Sequence, residues 1–159
     1  MALFAQDNGK IRIDSMTKTL IGIWNFEKVI DNNGKEIKSI EREVKGSPLG
    51  DKIEIKASGP NMILNEDGSC QLEYTPQNID KGNWYLLTPD TLIFQFVTKK
   101  ETSSYNMLKS TSEIFAKTLK YDGEGNIIEN NSVVIIKLNS KIMLIQYESE
   151  YFQVYQKKK

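Results

Sequence analysis

In DKIEIKA, residues 51 to 57, Ile53, Ile55 and Ala57 alternate strictly with Lys52, Glu54 and Lys56. This period of two gives an extended strand one apolar and one polar face. From Leu20 onward such runs follow one another, separated by clusters of turn-forming residues, which is the pattern of an all-β sandwich or barrel. LIGIWNFEKVI (20–30) is the first run and ends at DNNG (31–34). NMILNEDGSCQLEY (61–74) reads as a hairpin turning at Glu66-Asp67-Gly68, and GNWYLLTPDTLIFQFV (82–97) as a second, turning at Thr88-Pro89-Asp90. SVVIIKLNSKIMLIQYE (132–148) is a third, and YFQVYQ (151–156) a last strand after Glu148-Ser149-Glu150. Further strands are expected near 103–109 and 113–121, before a turn at DGEGN (122–126). KEIKSIEREVK (35–45) fits two forms: Ile37, Ile40 and Val44 recur at the spacing of a short amphipathic helix, and a twisted strand suits the segment nearly as well. Eight to ten strands with short connections predict an antiparallel up-and-down meander, and closure into a barrel of about eight strands removes exposed edges.

At 159 residues the chain fits one domain with a sizeable core. Residues 19–157 are assigned to that domain and 1–18 to a lead-in. MALFAQ places Leu3, Phe4 and Ala5 before Gln6 in the manner of a signal-peptide cleavage site, so the protein is expected to be exported, to a periplasm or the exterior. The 21 basic and 21 acidic residues cancel, which leaves no long-range field to attract nucleic acid. No apolar segment is long enough to span a bilayer. The run Lys157-Lys158-Lys159 reads as a solvated tail.

The chain has no histidine. That removes the commonest general base and the commonest neutral metal ligand, and with them Ser-His and Cys-His nucleophiles and ordinary zinc sites. Cys70 is the only cysteine. It alternates with Leu72 on an apolar strand face, where a thiol acts as a small inert hydrophobe. Asp122, Glu124 and Asn126 alternate as calcium ligands do, but Ile127 follows where an EF-type loop needs glycine, so the segment reads as a turn. Ser15 to Lys18 matches Ser-x-x-Lys by letter, without the partner motifs that such acyl-transfer enzymes carry. No catalytic residue, metal or cofactor is expected.

GIW at 22–24, followed by a meander, the EDGSC hairpin and then GNWYLL and TLIF, resembles the lipocalin-like domains of the calycin superfamily, in particular small exported bacterial versions. The resemblance spans about residues 18–156. It implies that Gly22 and Trp24 are structural, the glycine allowing close chain passage and the Trp plugging one end of the barrel. The arginine that classical lipocalins pack over that Trp late in the barrel has no counterpart, since the arginines are Arg12 and Arg42.

A barrel has an inward set of side chains that either fills it or lines a cavity. Alternation assigns Ile55, Met62, Leu64, Trp84, Leu86, Leu92, Ile142 and Leu144 to that set. The candidate ligand-binding residues are Phe26, Lys28, Leu72, Tyr74, Phe94, Phe96, Gln146 and Tyr155, a mostly apolar lining with a few polar groups. The expected function is non-catalytic binding of a small hydrophobic or amphipathic ligand, lipid-like or fatty-acid-like, with a carboxylate near Lys28. The alternative is a protein-interaction module, such as an accessory subunit of a cell-envelope complex, with a filled core and a protein partner. Oligomeric state is open.

Overall fold

The alternating runs pair with one another in the order in which they occur along the chain. A computed structural model describes residues 12–43 and 50–159. MALFAQ and the rest of 1–11 lie outside the described residues, as do Val44 and Lys45. The barrel wall is β1 (Gly22–Asp31), β5 (Asn61–Leu64), β6 (Ser69–Thr75), β7 (Asn78–Thr88), β8 (Thr91–Thr98), β10 (Ile127–Leu138), β11 (Ile142–Glu148) and β12 (Tyr151–Lys157). Each of these eight strands is antiparallel to the next, and β12 returns to pair with β1, so the sheet closes. The fold is an all-β, up-and-down, eight-stranded closed barrel.

Between β1 and β5 lie β2 (Glu36–Ile37), which pairs with β1, and a separate two-stranded ribbon of β3 (Ser39–Glu43) and β4 (Lys52–Lys56). The described part of 35–45 is therefore extended, not helical. Strand pairing sets Ile40 opposite Ile55 and buries Ile40. Ile55 thus belongs to the ribbon and not to the barrel wall.

Among the described residues two helices flank the barrel. The first, α1, runs over described residues 12–20. It carries part of the segment read above as a lead-in, but it is joined to the barrel: Leu20 is fully buried, Met16 packs on the core, and Arg12 meets Asp90 at 3.4 Å. The second, α2 (Ser103–Ile114), with the short β9 (Lys120–Tyr121), replaces the strands expected at 103–109 and 113–121. Thr102 starts α2 by accepting a hydrogen bond from the Tyr105 amide at 3.1 Å, the N-cap arrangement that satisfies one orphan donor of the first turn. Its less exposed positions, Tyr105, Leu108 and Ser112, share one helical face.

The core occupies the end of the barrel nearest α1. Trp24, Leu64, Cys70, Trp84, Leu92 and Met143 are buried there. The Trp24 indole N–H donates to the Leu20 carbonyl at 2.7 Å, so a carbonyl at the end of α1 gains a partner from the ring packed beneath it. Lys157 is the unexpected member. It is a strand residue and not tail: its ammonium lies 5.1 Å from the Trp24 ring centroid and donates to the Thr19 carbonyl at 2.6 Å. Burial against the ring lowers its pKa below the usual lysine range. Gly22, at φ +133°, makes room for this side chain, because a Cβ there would stand 2.7 Å from Lys157 Cε.

Two strand phases differ from simple alternation. β1 carries a bulge between Phe26 and Lys28, so Trp24 and Phe26 face inward, Val29 takes the next inward place, and Lys28 shares the outer face with Val154. In β11 the inward residues are Met143 and Ile145, at 0% and 3% exposure, while Ile142 is 39% exposed. Ile142 and Leu144 therefore lie on the opposite face from the one alternation assigned.

Candidate functional site

At the end of the barrel away from α1 the interior is not filled. A pocket of about 360 Å³ opens there, at the lower end of the range for small-molecule sites. Its apolar wall is Met62, Leu72, Phe94, Val133 and Ile145, contributed by five different strands. Its polar groups include Tyr74, Tyr147, Gln146, Gln153 and Tyr155, and the loop Ser58-Gly59-Pro60 passes along one side. No charged side chain among the described residues lines it.

Of the eight candidate ligand-binding residues, Leu72, Tyr74, Phe94, Gln146 and Tyr155 come together in this pocket. Phe26 stands behind it, edge-on to Tyr155 with ring centroids 5.8 Å apart. Phe96 lies on the same barrel face as Phe94 but packs against Gly82, outside the lining. Lys28 is on the outer face of β1, so it supplies no cation to the pocket.

Sequence reasoning passed over Gln153 and the loop at 58–60, and these organise the pocket's polar side. Gln153 Nε2 donates to the Ser58 carbonyl at 2.8 Å, and the Tyr155 hydroxyl donates to Gln153 Oε1 at 3.1 Å. Gly59 permits the approach: a Cβ there would stand 2.8 Å from both the Tyr155 oxygen and Gln153 Nε2. Gln146, beside the pocket on β11, pairs with Phe152 on the face opposite Ile145, and its Nε2 donates to the Glu148 carbonyl. The one hint in the sequence was alternation itself, since Gln153 and Tyr155 are two apart on β12.

Burial pushes the Tyr155 phenol well above the usual range, and the nearby Tyr74 and Tyr147 push it the same way. Burial also raises Tyr74, with Asp80 adding to the effect. Neutral phenols are therefore what the pocket presents at physiological pH. The linkage has a definite sign. Below about pH 10 both folded and unfolded chains hold the Tyr155 proton. Above it the unfolded chain releases a proton that the folded chain keeps, so stability falls as pH rises. In an alkaline titration followed by tyrosinate absorbance and circular dichroism, the last of the seven tyrosines is expected to ionise only as the strands unfold. Complete ionisation with the barrel intact would contradict this burial.

Other sites offer less. Asp122 accepts hydrogen bonds from the amides of Glu124 and Asn126 and from Asn126 Nδ2, which holds its carboxyl below the usual range and commits it to the turn. Ser15 and Lys18 are both exposed on α1. Cys70 is buried, and burial raises its thiol pKa, away from the reactive thiolate. Among the described residues no group of three His, Cys, Asp or Glu could hold a metal ion, and no helix is long and apolar enough to cross a membrane. No family model matches the chain, and comparisons with curated proteins and with solved structures returned no match.

Proposed function

We propose that the protein is a non-catalytic, lipocalin-like binder that holds a small hydrophobic or amphipathic molecule in the open end of its barrel. The observation that carries this reading is the pocket, apolar in its walls and furnished with a few anchored polar groups, set opposite a sealed end. The pairing of Lys157 with Trp24 supports the lipocalin-like resemblance, because it puts a late-strand cation over the plugging Trp even though no arginine is available there. The export suggested by MALFAQ belongs to the same proposal.

The test is uptake of a neutral solvatochromic dye, Nile red, by the full chain, compared with a Val133→Trp variant that fills the pocket. Saturable uptake at one dye per chain, lost in the variant while its melting temperature holds, is the expected result. Absence of saturable uptake by the unmodified protein would overturn the reading.

A second reading, as an interaction module, is favoured by one feature of α2 and its end. Met107, Ile114 and Phe115 are 65%, 76% and 66% exposed, more apolar surface than a short helix ordinarily leaves in water. This surface lies on a connection between barrel strands and is separate from the pocket lining.

A further inference from the structure

We infer that the pocket selects ligands whose polar end is an uncharged hydrogen-bond donor, such as a long-chain alcohol, over carboxylates and esters of the same length. This rests on the reading of the pocket as a ligand site and goes beyond it by fixing the polarity of what enters.

The argument starts at Ser58. A backbone carbonyl can only accept a hydrogen bond, so the group meeting it at 2.8 Å must be the amide nitrogen of Gln153. That orients the whole amide and turns Oε1 toward Tyr155. An amide oxygen can also only accept, so Tyr155 must spend its single hydroxyl proton on Gln153. What remains on the phenolic oxygen is lone pairs. The direction of the chain, from Tyr155 to Gln153 to Ser58, is thus set by its backbone terminus. Gln146 on β11 pairs with Phe152, on the face opposite that of Ile145 and Gln153, so Tyr155 is the group that carries the argument. The anchored Tyr155 oxygen therefore offers an acceptor at this corner of the pocket.

A ligand hydroxyl satisfies the Tyr155 oxygen, whereas a carboxylate or ester set against it brings oxygen lone pairs against oxygen lone pairs. The carboxylate has a second disadvantage. No Lys or Arg among the described residues lines the pocket, so its charge would lose water without gaining a counter-ion there. Sites built around fixed hydrogen-bond partners discriminate strongly against analogues that leave those partners unmatched.

The experiment is displacement of Nile red from the full chain at neutral pH by n-decanol, n-decanoate and methyl decanoate. The ester separates charge from hydrogen-bond polarity, because it is neutral yet lacks a donor. The expected result is that decanol competes about tenfold or more better than either of the others. Gln153→Leu frees the Tyr155 proton to face the ligand, and in that variant the advantage of decanol over the ester is expected to shrink or reverse. Equal competition by all three would overturn the inference and leave ligand binding standing. Decanoate alone failing, with ester and alcohol equal, would also overturn it, since exclusion of charge would then suffice. If neither dye nor any probe binds, the reading of the site falls, and the inference with it.

Discussion

Replacing Trp24 with alanine is expected to cost about 3–5 kcal/mol of folding stability, enough to leave a barrel of this size marginal or unfolded. Three losses coincide at this position. The indole is fully buried, so its removal leaves a large cavity at the sealed end. Its N–H is the partner of the Leu20 carbonyl, which would be left unpaired beneath α1. Its face also receives the Lys157 ammonium, whose partial desolvation would then be offset only by the Thr19 carbonyl. Denaturant unfolding of Trp24→Ala and Trp24→Phe separates these contributions. Phenylalanine restores most of the volume and an aromatic face but not the N–H, so it is expected to recover more than half of the loss. A Trp24→Ala variant within about 1 kcal/mol of the parent would contradict a load shared in this way.

The second large effect is a contrast between neighbours on β11. Met143→Ala is expected to cost about 2–5 kcal/mol, because Met143 is fully exchanged from water into the core. Ile142→Ala is expected to cost less than about 1 kcal/mol, since that side chain keeps 39% of its surface in solvent. The same measurement on both variants reads the phase of the strand directly. A larger loss at Ile142 than at Met143 would place the strand one residue out of register.

The phase of β11 also shows where sequence patterning runs out. Ile142, Met143, Leu144 and Ile145 are four apolar residues in a row, so alternation has no polar position to mark the outer face. The turn decides instead. Asn139 accepts hydrogen bonds from the amides of Lys141 and Ile142, which sets where β11 begins. Lys28 was misplaced for a related reason. Alternation carries it inward from Phe26, but the bulge inserts one residue, and Glu27 bears no composition that announces it.

By contrast, the hairpins at 61–74 and 82–97 were readable because glycine, proline and aspartate stand at their turns and polar residues punctuate their strands. Residues 103–114 carried a helical signal that their Ser, Thr and Tyr content obscured. Thr102 is a good N-cap, and Tyr105, Leu108 and Ser112 fall at helical spacing. Four of the eight candidate pocket residues, Leu72, Tyr74, Phe94 and Tyr155, were legible from period two alone. The polarity of the pocket was not, since it depends on a carbonyl at Ser58 that meets Gln153 only once the barrel has closed.

The seal formed by Leu20, Trp24 and Lys157 has a consequence for traffic. A barrel stoppered at one end cannot act as a conduit, and nothing can pass from one side of it to the other. An occupant of the proposed site would have to leave by the open end, where Tyr74 lines the pocket. In the proposed binder, arrival and departure would share one doorway, and a second guest would wait for the first to leave.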